Sequence, residues 1–119
     1  MDMTTPTPHD ADHLANFDER IRLHLLDLQQ AARMAEMLKA LADPVRVRIL
    51  SLLNHAPMCV TDLCLALEMS QPAISHHLRI LRHNRLLKTS KDGKHVFYAL
   101  ADEHIKNLYC QILDHSQHS

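Results

Sequence analysis

The sequence predicts a mostly α-helical domain that carries one β-hairpin. Two features of patterning point there. Apolar residues recur at helical intervals through most of the chain, while residues 86–100 switch to a period of two around "KDGK". Aromatic residues make up only 3% and tryptophan is absent, so the core must be Leu, Ile, Val, Ala and Met, a palette that favours packed helices. At 119 residues the chain has material for one modest core.

The opening residues 1–15, "MDMTTPTPHDADHLA", are polar, contain proline and have no period, which predicts a mobile N-terminal arm ahead of a folded domain over 16–118. Asn16 can cap a helix, with Glu19 completing a capping box. Helical spacing then runs from Phe17 to Ala42, with a break near Gln29–Ala31 as one option. Asp43-Pro44 stops that run and starts the next, Asp43 as cap and Pro44 in the first turn of "VRVRILSLL". His55-Ala56-Pro57 ends it. A short helix follows in "CVTDLCLALEM", capped by Thr61 or a neighbour. "SQPAISHHLRILRHN" comes next, with Ser70 as cap and Pro72 in the first turn. "LLKTS" and "HVFYAL" flank the Asp92-Gly93 pair, a strong short hairpin signal that uses the only glycine in the chain. Asp102 caps a last helix that runs to His115 or beyond.

A formal charge of −1 hides a gradient. Residues 1–43 hold four basic and eight acidic side chains, whereas residues 70–100 hold six basic and one acidic. Such asymmetry marks one surface for a polyanion. Three cysteines without framework spacing, no signal peptide and no apolar run near the roughly 20 residues of a membrane span predict a reducing cytoplasm and no membrane partner.

Two short helices joined by a tight turn and followed by a basic hairpin compose a winged helix-turn-helix. In the second helix Ala73, Ile74, Leu78 and Leu81 form an inner stripe. Ser70, Gln71, Ser75, His76, Arg79 and Arg82 fall largely outside, where they can meet base edges and phosphates. Lys88, Lys91, Lys94 and His95 of the wing can lie along flanking phosphates or the minor groove. The plainer alternative, a solvated basic face, leaves the hairpin and the local charge without a role.

"LKALADPVRVRILSLL", "CVTDL", "SQPAISHHLRILRHNRLL" and "KDGKHVFYAL" together resemble the ArsR/SmtB family of metal-sensing repressors, over about residues 31–118. The resemblance implies a winged-helix homodimer that occupies double-stranded operator DNA and leaves it when metal binds. It implies no enzymatic activity and no small-molecule substrate, and no nucleophile–base pair or open three-ligand site can be placed in the sequence.

The C-terminal segment "ADEHIKNLYCQILDHSQHS" adds a geometric problem. On one helix His115 lies about 20° round from His104, and His118 shares its face. Yet His104 and His115 stand about 16 Å apart along the axis, too far for one ion with bonds of about 2 Å. Two such helices antiparallel across a twofold axis remove the difficulty. Asp102 and His104 of one chain then meet His115 and His118 of the other, a closed tetrahedral set suited to Zn(II), with Co(II) or Ni(II) also acceptable to imidazoles. Asp-x-His, ten residues, then His-x-x-His also matches what zinc sensors of the resembled family carry on their last helix. That resemblance further implies that His115 reaches a main-chain carbonyl near Arg85.

A second site is implied by the family at Cys59 and Asp62, completed by His9 and His13 from a partner's arm. Soft-metal sensors of the family often carry Cys-x-Cys there, whereas this chain has one cysteine followed by Val60-Thr61-Asp62, which disfavours arsenic or lead. Cys64 is expected in the core and Cys110 near the dimer seam. Two other readings remain open at this point: a redox-sensing repressor acting through Cys59 or Cys64, and a zinc buffer with no DNA role.

Overall fold

The computed structural model describes residues 19–118, so the arm, Asn16, His9 and His13 lie outside the described residues. The chain divides into two compact units, Met1–Ala32 and Arg33–Ser119.

The described elements are a 3-10 turn at Arg22–His24, then α1 (Leu28–Leu41), α2 (Pro44–His55), α3 (Val60–Leu67), α4 (Gln71–His83), β1 (Leu87–Asp92), β2 (His95–Leu100) and α5 (Glu103–Gln117). The expected helix from Phe17 to Ala42 is not continuous. It breaks at Leu25–Asp27, upstream of Gln29–Ala31, because Asp27 acts as a cap. Its Oδ1 accepts from the Gln30 N–H at 2.8 Å and its carbonyl accepts from Ala31.

The other starts follow local chemistry. Asp43 Oδ2 accepts from the Arg46 N–H at 3.1 Å, with Pro44 at the first helical position. Ser70 Oγ accepts from Ala73 and Asp102 Oδ1 from Ile105. The cap of α3 is Cys59, with no side-chain bond. Between α3 and α4, Glu68 occupies the left-handed region at φ 55°, and the Met69 N–H closes the turn onto the Cys64 carbonyl. Arg85, at φ 60°, does the same service after α4, where Leu86 N–H bonds the Leu81 carbonyl.

β1 and β2 pair antiparallel in a register running from Leu87↔Leu100 to Asp92↔His95. The two loop residues are therefore Gly93 and Lys94, one step on from the Asp-Gly pair. Gly93 stands first in the loop at φ 64°, the position where such a turn needs glycine. β2 is also bonded on its other edge, where Met58 and Tyr98 exchange N–H···O bonds of 3.0 and 2.8 Å.

The core is aliphatic. Ile49, Leu63, Ile74, Leu78, Leu81 and Leu86 are fully buried, and no polar residue is buried among those described. Ile74, Leu78 and Leu81 are the inner stripe expected of α4; Ala73 is half-buried. α5 is the exception to this economy, for it buries no residue at all.

Candidate functional site

The Arg33–Ser119 unit presents two surfaces of chemical interest. The first is built by α4 and the hairpin. Gln71, His76, Arg79 and Arg82 are exposed on α4, while Ser75 is half-buried and Ser70 is occupied as the cap. Ser75, Arg79 and Arg82 open onto a cleft of about 460 Å³ whose further walls are Leu78, His83 and Tyr98. The sequence reading did not single out His83 or Tyr98. His83 lies seven residues after His76, a spacing that returns to the same helix face and could have been noticed. Tyr98 enters through strand pairing alone.

Lys91, Lys94 and His95 cluster at the exposed tip of the hairpin, Lys94 within the loop. Lys88 is placed differently. It is exposed at the hairpin base, in a second cleft of about 470 Å³ lined also by Asn54, Asp102, Glu103 and Lys106. Strand alternation separates Lys88 from Lys91 onto opposite faces.

α5 is the second surface. At its start Asp102 Oδ1 lies 3.7 Å from His104 Nδ1, so these two donors already converge; the His104 side chain is 92% exposed. At its end His118 is the cap residue, and its Nδ1 is turned back to the Asp114 carbonyl at 2.8 Å and to Asp114 Oδ1 at 3.2 Å. The Asp114–His118 pair at i,i+4 was readable from spacing and was missed. His115 is exposed. Among the described residues no three His, Cys, Asp or Glu side chains gather as an ion would require. The donors thus form two exposed pairs at opposite ends of one helix. Their imidazole and carboxylate chemistry fits a borderline ion such as Zn(II), but neither end of α5 alone gathers the four donors of a tetrahedral site.

Between those pairs runs an apolar groove of about 340 Å³, walled by Leu41, Val47, Leu50, Ile105, Leu108, Tyr109, Ile112, Leu113 and Ser116. Leu108, Ile112 and Leu113 remain 39%, 56% and 39% exposed. Cys110 is exposed on the same helix, its Sγ 3.8 Å from Asn54 Oδ1. Cys64 packs against the core as expected; Cys59 is half-buried and Asp62 exposed at the start of α3.

Comparison with known proteins places this architecture. The chain is 46% identical over 84% of its length, and 76% of the other's, to a protein from Synechocystis described as a transcriptional repressor SmtB homolog. The chain belongs to the ArsR family. The family description "Bacterial regulatory protein, arsR family" matches residues 43–89, from the cap of α2 into β1. A further relative is the HTH-type transcriptional regulator NmtR of Mycobacterium tuberculosis, 43% identical over 78% of each chain. The solution structure of apo-NmtR superposes with a TM-score of 0.67 at 42% identity, covering 80% of both chains. A homodimeric winged helix-turn-helix DNA-binding domain from Mycobacterium bovis superposes at 0.71 with 25% identity, covering 77% of this chain and 88% of that one. The protein is accordingly an ArsR/SmtB-family transcriptional regulator of winged helix-turn-helix fold and not an enzyme. Among the described residues no helix is long and apolar enough to cross a membrane.

Proposed function

We propose that this protein is a cytoplasmic, metal-responsive repressor: a homodimer that binds double-stranded operator DNA without metal and is released by Zn(II). The observation that carries the reading is α5, with a donor pair at each end, an exposed apolar stripe between them and no buried residue. Antiparallel apposition of two copies covers the stripe and brings Asp102 and His104 of one chain to His115 and His118 of the other. His118 has to leave Asp114 for that arrangement. Zn(II) would supply a tetrahedral cross-link between the chains; Co(II) and Ni(II) suit the same donors.

DNA is held by Ser70, Gln71, Ser75, His76, Arg79 and Arg82 of α4 and by Lys88, Lys91, Lys94 and His95 of the hairpin. Metal and DNA then oppose each other reciprocally, because each favours a different relative orientation of the two heads. His115 is the relay. Its second ring nitrogen needs an outer acceptor, and Arg85, the second residue after α4, stands in the left-handed region with no donor to its carbonyl among the described residues. A second metal site of Cys59, Asp62, His9 and His13 would span α3 and the partner's arm, outside what α5 requires.

The test is operator binding by fluorescence anisotropy with and without Zn(II), for wild type and His115→Gln, alongside metal stoichiometry per dimer. Wild type should be released at one to two ions per dimer; the variant should bind DNA normally and resist release. Release of the variant at wild-type zinc concentrations refutes α5 as the sensor. Release by peroxide with no response to zinc would favour Cys59 or Cys64 instead, and zinc binding with no salt-dependent DNA affinity would favour a buffer.

A further inference from the structure

Polar side chains are scarce inside this unit, and one cluster sits at the joint between the DNA-reading helix and the rest. Arg46, in the first turn of α2, donates from Nε to the Ala40 carbonyl in the last turn of α1 at 2.7 Å. Its Nη1 lies 3.5 Å from Nδ1 of His77 on α4. Asp43, the cap of α2, holds the Arg46 N–H and places Oδ2 4.0 Å from the same His77 nitrogen. His77 is half-buried, its side chain 15% exposed, on the flank of α4 away from Arg79. One ring nitrogen therefore meets a guanidinium and a carboxylate together.

We infer that Asp43, Arg46 and His77 form a polar latch seating the recognition helix on α2, set while the His77 ring is neutral and loosened when it gains a proton. This rests on α4 being the DNA-reading helix, as proposed above. With its proton on Nε2, the neutral ring offers the Nδ1 lone pair to the Arg46 guanidinium. A protonated ring turns that acceptor into a donor facing a cation, and only Asp43 can receive it, at a distance that requires the ring or helix to shift. The charged or titratable groups facing the ring are Asp43 from the α1–α2 joint, Arg46 from α2 and His76 from its own helix. Burial, helped by Arg46 and His76 and opposed by Asp43, holds His77 below its usual 6.5. The sign follows: the neutral, latched form is complete above 6.5 and its contribution is lost as pH falls through the lower folded value. His77 is a positioning residue; it acts through the placement of Ser75, Arg79 and Arg82.

His77→Asn separates positioning from packing, since asparagine Oδ1 can take the place of Nδ1 and accept from Arg46 but does not titrate. Wild type and variant would be compared for binding to a duplex selected from a random library, from about pH 7.5 to about pH 5.5. The exposed His83 and His95 act equally on both proteins and cancel in the ratio of dissociation constants, and His76→Gln is carried in both because His76 faces residue 77. That ratio should lie within about twofold of unity at the upper pH, with wild type about fivefold weaker than the variant at the lower. A ratio independent of pH overturns the latch. A readout without DNA keeps the inference separate from the DNA reading: the His77 ring C–H resonance should titrate higher in Arg46→Met and lower in Asp43→Asn. A midpoint unmoved in both variants overturns it whether or not any duplex binds.

Discussion

Ile112→Ala measures whether the stripe on α5 is the face that meets a second copy. Fully burying an isoleucine side chain is worth about 1.5–3 kcal/mol, and Ile112 remains 56% exposed in the single chain. Roughly half of that gain, about 1 kcal/mol per side chain, is thus left for association. A twofold interface uses the residue twice, giving about 2 kcal/mol, or about a 30-fold rise in the dimer dissociation constant. Sedimentation equilibrium of the metal-free protein is the assay. Circular dichroism and thermal unfolding of the variant check that the chain itself is intact, as expected for a side chain that anchors no core. Leu65→Ala is the control, because Leu65 is 73% exposed on α3 and lines no wall of the groove. If Ile112→Ala dimerises like wild type, or Leu65→Ala weakens association as much, the argument from the uncovered stripe is wrong.

Two further outcomes follow from local geometry. Arg79→Ala should weaken binding to every duplex and lower the slope of log affinity against log salt by about one if Arg79 meets a phosphate, or cost about 1–3 kcal/mol on one sequence only if it reads a base; a salt titration on two duplexes decides between them. Glu68→Gly should stabilise the fold by a few tenths to about 1 kcal/mol, because the left-handed turn between α3 and α4 costs a side-chain-bearing residue about 1–2 kcal/mol while glycine returns about 0.5–1 through the unfolded chain. Urea unfolding reads it, and a destabilised variant would mean that the Glu68 side chain itself matters.

Much of the fold was legible because its boundaries are local. Asp43-Pro44, Ser70 with Pro72, and Asp102 each cap a helix through their own side chains, so residue type and position suffice. Asp27 works by the same chemistry but was hidden inside an unbroken apolar rhythm, which misplaced the break before α1. The hairpin was found while its turn was off by one, since register belongs to the pairing of both strands and not to the Asp-Gly pair alone. Lys88 and Lys91 looked equivalent in sequence until strand alternation sent them to opposite faces. The separation of Asp102 and His104 from His115 and His118 along α5 was readable from spacing, because helical pitch fixes how far apart residues on one helix must be. His77 was not: only packing against α2 distinguishes it from His76 beside it, and no local pattern carries that information.

The pair of hydrogen bonds between Met58 and Tyr98 has a mechanical consequence. They tie the hairpin to Met58, two residues ahead of α3, so that wing and helix-turn-helix are joined by backbone hydrogen bonds as well as by the chain itself. A wing held in this way would have little freedom to flap independently of α3. In the proposed dimer, grip on a duplex would then be set as in a calliper, by the gap and tilt between the two halves.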